Sequence, residues 1–153
     1  MLDISLQTRI GDFEIKAAFQ AEAGITALFG PSGAGKTSLV NMLAGLERPA
    51  RGRIVVWDQV LFDSEQGIDL SPEQRRLGYV FQESRLFPHM TVAGNLSYGR
   101  ALVPKGVALV DYDAVVDLLA LRPLLVRRPK TLSGGERQRV AISRALMTAP
   151  HLL

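Results

Sequence analysis

The sequence contains no cysteine. Neither disulfide bonds nor thiolate metal sites are therefore available, which fits a reducing compartment. The first five residues, Met1 to Ser5, have neither a basic start nor an apolar core, so we expect no signal peptide there. No apolar run approaches the ~18 residues that a membrane span needs. We therefore expect any membrane role to be carried out through a partner.

An excess of charge of one sign is also missing. The chain of 153 residues has 18 basic and 15 acidic side chains, a formal net charge of +3. Nucleic-acid-binding proteins gather their basic residues on one face, whereas the largest clusters here, Arg75-Arg76 and residues 127–130, are small and scattered. We interpret these clusters as solvated surface and expect no nucleic-acid partner. With 47% hydrophobic residues, the composition is typical of a globular domain with a core.

The most informative stretch is Gly30 to Thr37, with the sequence GPSGAGKT. It matches G-x-x-x-x-G-K-[ST], the phosphate-binding P-loop. The apolar run at residues 24–29 predicts a short buried strand before it, and residues 37–46 predict a helix after it. Strand, loop and helix in this order are the context that the motif requires. Because a chance match in so short a chain has a probability well under ~1%, the stretch predicts a nucleotide-binding site.

Each part of this loop has a physical role. Its glycines let the backbone curl tightly, so that its N–H groups face phosphate oxygens, and the helix that follows adds the positive end of its dipole. We expect Lys36 to reach the β- and γ-phosphates and the Thr37 hydroxyl to ligate Mg²⁺. The predicted phosphate-binding residues are Gly30, Pro31, Ser32, Gly33, Ala34, Gly35, Lys36 and Thr37.

Alternating apolar residues predict strands on both sides of the P-loop. Ile4 and Leu6 alternate with polar residues, and Phe13 begins an apolar pattern that repeats at every second position up to Phe19. Its place in this pattern predicts that Phe13 packs in the core. Further strands are predicted at residues 53–57, 60–62 and 77–81, the last followed by Gln82, and helices at residues 91–100 and 112–121.

A second distinctive helix start is the run Ser133-Gly134-Gly135-Glu136. Ser133 and Glu136 have the S-x-x-E spacing of a capping box. Two glycines at a helix N-terminus leave uncovered N–H groups, which favours an anion site, although such starts are also common structural devices. Apolar residues at 142, 145, 146 and 149 give this helix one apolar face, Pro150 ends it, and residues 151–153 predict the start of another strand.

Three motifs in this order resemble the ATP-binding subunits of ABC transporters. They are the P-loop, the glutamine of Tyr79-Val80-Phe81-Gln82, and the signature LSGGERQRVA at residues 132–141. The resemblance runs along the whole chain and implies an α/β fold. The implied parts are a P-loop NTPase core with a RecA-like parallel sheet, an N-terminal antiparallel β part, and a small helical subdomain. The implied divisions are residues 1–82 for the nucleotide-binding core, 83–132 for the helical subdomain, and 133–153 for the signature helix and the start of a strand.

The resemblance also implies how these parts work. In that family two subunits face each other head to tail, and each ATP lies, with Mg²⁺, between the P-loop of one and the residues matching Ser133, Gly134 and Gly135 of the other. Gln82 would ligate Mg²⁺ or the attacking water and link the site to integral membrane permease subunits; otherwise it is a polar strand end in solvent. Ser38 would contact the α-phosphate, or is an ordinary first-turn serine. The implied catalytic residues are Lys36, Gln82 and Ser133. His89 fits a permease-facing or merely exposed position better than a catalytic base.

Three segments, residues 24–30, 75–82 and 86–89, resemble a narrower group, the ATPases of bacterial molybdate importers. The implied function is ATP hydrolysis that powers import of molybdate or a similar oxyanion, by a peripheral subunit on the cytoplasmic face of the inner membrane. Since no residue here can touch the transported anion, ATPases of sulfate, polyamine or sugar importers remain alternatives. A DNA-repair or chromosome-structure ATPase is disfavoured, because no long coiled coil separates Lys36 from Ser133. A non-catalytic nucleotide-binding module also stays open.

The sequence departs from the family pattern after the signature. The Walker B aspartate, its neighbouring glutamate, the D-loop and the switch histidine are not in this sequence. We therefore expect a core that is incomplete at its C-terminal side, and a chain that is a fragment of a longer product. We expect this chain alone to bind ATP weakly and to hydrolyse it negligibly.

Overall fold

The computed structural model describes all 153 residues. They form two compact units, Met1–Arg75 and Arg76–Leu153. The first unit is a sheet with one helix, and the second is mainly helical. The first unit contains β1 Leu2–Ile10, β2 Phe13–Ala21, α1 Lys36–Ala44, β3 Arg51–Val56, β4 Gln59–Asp63 and β5 Ile68–Asp69. The second unit contains α2 Val92–Ala101, α3 Tyr112–Leu118 and α4 Gly134–Leu146. Single 3₁₀ turns occur at Pro72–Gln74, Arg122–Leu124 and Pro129–Thr131.

The sheet of the first unit is antiparallel throughout, in the order β2-β1-β3-β4-β5. Ile4 pairs with Phe19 on one side and with Ile54 on the other, and Ile4 and Leu6 are both buried. The alternation of β1 therefore places one face of the strand in the core. This confirms the predicted antiparallel strands before the P-loop, and the strands predicted at 53–57 and 60–62 are present as β3 and β4.

Strand β3 approaches β1 so closely that one position admits only glycine. Gly52 has a φ of +121°, and a Cβ atom on it would lie 2.1 Å from the carbonyl oxygen of Ser5. Any side chain at this position would push the two strands apart, because the obstacle is backbone.

Helix α1 ends on a buried arginine. Only 1% of Arg75 is exposed, and its Nη1 donates to the carbonyl oxygens of Met42 and Leu43 at 2.7 and 2.9 Å. Its Nε donates to Leu70, and its Nη2 to Asp69. The guanidinium thus donates to carbonyl groups of the last helical turn, at the negative end of the helix dipole. One of these carbonyl oxygens, that of Met42, also accepts the N–H of Gly45 at 3.2 Å. Our expectation that Arg75 is solvated surface is therefore wrong.

The second unit has its own apolar core. The helices predicted at 91–100 and 112–121 are present as α2 and α3, although α3 ends earlier, at Leu118. Thr91 caps α2 by accepting the N–H of Gly94, and Asp111 caps α3 by accepting the N–H of Ala114. The core residues are Val92, Leu96, Val115, Val116, Leu121, Leu124, Leu132, Val140 and Met147.

The strands predicted at residues 24–29 and 77–81 are not formed, so both predictions are wrong. Residues 25–29 have no backbone hydrogen bond, and Ile25 and Phe29 are completely exposed. In the stretch 77–81, Leu77 forms one isolated parallel bridge to Leu152, and the Gly78 N–H donates to the carbonyl oxygen of Leu152 at 2.8 Å, so no continuous strand is formed. An apolar run becomes a strand only where a neighbouring strand takes up its backbone hydrogen bonds, and hydrophobic pattern alone does not reveal that neighbour.

Candidate functional site

The P-loop runs from Gly30 into the start of helix α1. Gly33 and Gly35 have φ values of +82° and +83°, in the left-handed region that favours glycine. Gly35 is the N-cap residue of α1, and the N–H of Ala34 donates to the carbonyl oxygen of Pro31 at 3.3 Å. Residues 31–34 are exposed. The two glycines therefore turn an exposed loop onto the N-terminus of a helix.

Lys36 crosses this loop from inside the first turn of α1. Its Nζ donates to the carbonyl oxygens of Gly30 and Pro31, at 2.8 and 2.7 Å. The ammonium group is thus held over the loop by weak, neutral acceptors. A phosphate group is a stronger acceptor for a charged donor, so the geometry suits an exchange of these carbonyls for phosphate oxygens.

The first turn of α1 is suited to a negatively charged ligand. It carries no acidic residue, so nothing of negative charge competes for the positive end of the helix dipole. Thr37 is exposed there, and Ser38 is partly exposed. No group of three or more His, Asp or Glu side chains is arranged to hold a metal ion. Within this turn, the Thr37 hydroxyl is a side-chain oxygen that could ligate a Mg²⁺ ion together with phosphate oxygens.

Strand β2 contacts the P-loop, which the sequence pattern did not indicate. A Cβ atom on Gly35 would lie 2.9 Å from Cδ1 of Ile15 and 3.3 Å from Cε1 of Phe13. Ile15 is buried, whereas Phe13 is 47% exposed, so the prediction that Phe13 packs in the core is wrong. It stands at the start of an edge strand, where alternation does not guarantee a covering neighbour. The alternating pattern located both side chains, but nothing in it pointed to the loop.

The remaining candidate residues lie in the second unit. Gln82 is exposed in a loop without regular structure, and His89 is exposed, with its ring 6.0 Å from that of Phe87. Ser133 is the N-cap of α4, and Gly134 and Gly135 begin the helix. Within the second unit, the structure thus places the candidate residues at the loop of Gln82 and at the tip of α4.

The tip of α4 has the predicted capping box. The Glu136 N–H donates to Oγ of Ser133 at 3.3 Å, and the Ser133 N–H donates to the Glu136 carboxylate at 2.6 Å. Bonding to the Ser133 N–H and hydroxyl lowers the pKa of Glu136. A Cβ atom on Gly134 or Gly135 would meet nothing within 4 Å, so this face of the tip is open to an approaching surface.

Together, the P-loop and the α/β fold define a P-loop nucleotide-binding protein. The chain belongs to the ABC transporter family, since the model of that family matches residues 16–153. This confirms the family resemblance of the three motifs. None of the helices is long and apolar enough to cross a membrane.

The chain is similar to curated relatives named molybdenum import ATP-binding protein ModC. It is 59% identical to the one from Rhodospirillum rubrum over 153 residues, which is all of this chain and 41% of the relative. It is 54% identical over 154 residues to the one from Yersinia pestis, covering 42% of it. The chain therefore spans about two fifths of the length of these relatives. These similarities confirm the narrower resemblance to molybdate-importer ATPases.

Solved structures of ATP-binding cassettes share the fold. One is a dimeric cassette in a post-hydrolysis state, bound to ADP and Pi; it is 25% identical, with a TM-score of 0.69 over 98% of this chain and 71% of that one. Another, described as an ATP-binding subunit of an ABC transporter, is 23% identical, with a TM-score of 0.77 over 97% of this chain and 62% of that one. The expected fold class is confirmed.

Proposed function

We propose that this chain is the nucleotide-binding part of an ATPase subunit that powers a bacterial importer of molybdate. The observation that carries the proposal is the geometry of Lys36, whose ammonium lies over the P-loop beside an acid-free helix N-terminus. The names of the relatives supply the substrate. Importers of sulfate, polyamines or sugars would use the same nucleotide site.

In this proposal ATP and Mg²⁺ bind at residues 30–38. The N–H groups of the loop and of the first turn of α1 surround the phosphates, while Lys36 contacts the β- and γ-phosphates. The Thr37 hydroxyl ligates Mg²⁺, and Ser38 contacts the α-phosphate. These groups stabilise the charge that spreads over the phosphoryl oxygens during transfer.

A second copy of the subunit completes the site. Ser133, Gly134 and Gly135 of that copy would contact the γ-phosphate, and their open helix tip supports this role. A solved cassette of the same fold is dimeric with ADP and Pi bound, which supports the association of two copies. ATP then closes the dimer, and hydrolysis releases it.

The proposed partners outside the dimer are integral membrane permease subunits. The subunit would lie on the cytoplasmic face of the inner membrane, with Gln82 connecting the Mg²⁺ or attacking water to the permease. Gln82 is exposed, which supports contact with a partner. We expect this chain alone to hydrolyse ATP negligibly, since the family's remaining catalytic residues are not in its sequence.

Calorimetric titration of the chain with Mg·ATP tests the nucleotide site. We expect measurable binding that Lys36→Met weakens about tenfold or more, since a charge-assisted hydrogen bond contributes roughly 1.5–3 kcal/mol. Lys105→Met is the matched control, because Lys105 is exposed and outside the loop. Equal affinities of the Lys36 variant and the unsubstituted chain would refute the proposal.

A further inference from the structure

The two compact units carry net charges of opposite sign. Residues 1–75 have 7 basic and 10 acidic side chains, whereas residues 76–153 have 11 basic and 5 acidic ones. The formal net charges of the units are therefore −3 and +6, although the whole chain has only +3. Two copies of such a chain attract each other most strongly when the acidic unit of one faces the basic unit of the other.

Much of the positive charge of the second unit surrounds the start of helix α4. The stretch 127–139 has 5 basic residues and 1 acidic residue. Bonding to Ser133 lowers the pKa of Glu136, and the charges of Arg127 and Arg139 lower it further. Arg127 and Arg139 therefore lie close to the same carboxylate, although one precedes the helix and the other is inside it. We call this surface the basic patch, and its residues are Arg127, Arg128, Lys130, Arg137 and Arg139.

Three cations of the basic patch are available to a partner. Arg127, Arg128 and Lys130 are exposed, and none of them forms an ion pair with a carboxylate. Arg122, by contrast, is paired with two aspartates of helix α3. The three patch cations therefore keep their attraction for an anionic surface, which ion pairing within the chain has largely removed from Arg122.

The backbone that carries these cations is held in place. The N–H of Arg127 donates to the carbonyl oxygen of Leu124 at 2.9 Å, and its carbonyl oxygen accepts the N–H of Val92 at 2.8 Å. The Thr131 hydroxyl donates to the carbonyl oxygen of Arg128 at 2.9 Å. Because the segment is fixed to the start of helix α2 and by its own turn, little backbone entropy is lost when a partner binds to it.

We propose that the basic patch is an interaction surface for the acidic unit, Met1–Arg75, of a second copy, and that electrostatic attraction brings that unit to the Ser133 tip. The inference rests on the proposed function, since head-to-tail association places the tip of one copy at the P-loop of the other. Bound Mg·ATP adds negative charge to the acidic unit and so strengthens the attraction. Contact between two basic units would place like charges together, so the charge distribution favours the head-to-tail orientation.

Paramagnetic broadening between two copies tests this inference without nucleotide. The chain has no cysteine, so a nitroxide can be attached to Ser32→Cys alone, in the exposed P-loop. The labelled chain is mixed with an isotope-enriched chain that has no nitroxide, so that broadened amide signals report contacts from another copy. At low salt we expect the signals of residues 127–139 to be broadened about twofold or more relative to the rest of the second unit. Salt at about 0.5 M should remove this difference, because it screens exposed charges.

Paired substitutions locate the attraction. Arg128→Gln combined with Lys130→Gln should reduce the broadening at the patch by about half or more. The matched control, Arg85→Gln combined with Lys105→Gln, removes the same charge from exposed positions of the same unit and should leave the broadening nearly unchanged. If the patch pair fails to fold, Arg127→Gln replaces it.

Three results would overturn the inference: broadening that is uniform over the second unit, equal effects of the two substituted pairs, and no broadening at all. The assay contains no nucleotide, so its failure is distinct from a failed Mg·ATP titration.

Discussion

Arg75 donates its Nη1 to the carbonyl oxygen of Met42 at 2.7 Å, and so closes the end of helix α1 opposite the P-loop. A buried cation at a helix C-terminus both satisfies carbonyl groups and opposes the negative end of the dipole. The helix that carries Lys36 at its beginning is therefore fixed at its other end by a residue distant in sequence.

Replacement of Arg75 by methionine should destabilise the first unit. The aliphatic stem would still fill space, but the carbonyl oxygens of Leu43 and Leu70 would lose their donor, and that of Met42 would keep only the N–H of Gly45. We expect a loss of about 3 kcal/mol in the free energy of unfolding. Urea titration followed by the fluorescence of Trp57, the one tryptophan in the chain, measures it. Arg51→Met, at an exposed position, should cost less than about 0.5 kcal/mol, and equal costs would contradict the role of Arg75.

Gly52→Ala should be far more disruptive than Gly67→Ala. Both glycines have positive φ, +121° and +69°, but only the Gly52 Cβ would meet backbone, 2.1 Å from Ser5. Gly67→Ala should lower the free energy of unfolding by about 1–2 kcal/mol, because of its left-handed conformation alone. Gly52→Ala should lower it further, because strands β1 and β3 must also move apart. Thermal unfolding followed by circular dichroism compares them. A melting temperature for Gly52→Ala equal to or above that of Gly67→Ala would show that the strands are less closely apposed.

The capping box should make the stability of the α4 tip depend on pH. Bonding to Ser133 lowers the pKa of Glu136 from its ordinary 4.5, so the carboxylate contributes stability above the unfolded-state pKa and loses it as the pH falls through the folded-state value. NMR titration of the Glu136 carboxyl carbon should give a midpoint below 4.5 in the folded chain and a higher one in urea. Identical midpoints would mean that the capping bond does not persist in solution.

Gly135→Asp should leave folding intact and weaken the nucleotide-dependent association of two copies. A Cβ atom there meets nothing within 4 Å, and an aspartate is favoured at a helix N-terminus, so stability should hold or rise. Its charge would repel the γ-phosphate of the facing subunit. Sedimentation in Mg·ATP should therefore show weaker dimerisation, while the nucleotide affinity measured at chain concentrations too low for dimerisation should be unchanged. The matched control is Ser97→Asp, on an exposed face of α2. Unaltered dimerisation of Gly135→Asp would argue against the head-to-tail arrangement.

The sequence by itself determined the features that depend on neighbours along the chain. The P-loop spacing located the turn at Gly33 and Gly35, the S-x-x-E spacing located the capping box of Ser133, and alternation located β1. Each of these is a contact between residues a few positions apart, or a periodicity of one element, so that local pattern is sufficient to specify it.

The tertiary structure decided what depends on a distant partner. It left residues 25–29 without a strand neighbour, buried Arg75 beneath helix α1, and exposed Phe13 on an edge strand. It also placed the guanidinium of Arg144 against the ring of Phe87 and within hydrogen-bond distance of the amide oxygen of Asn95. Backbone hydrogen bonds between segments, and the desolvation of a charged side chain, depend on which distant residues pack together, and no local spacing encodes that choice.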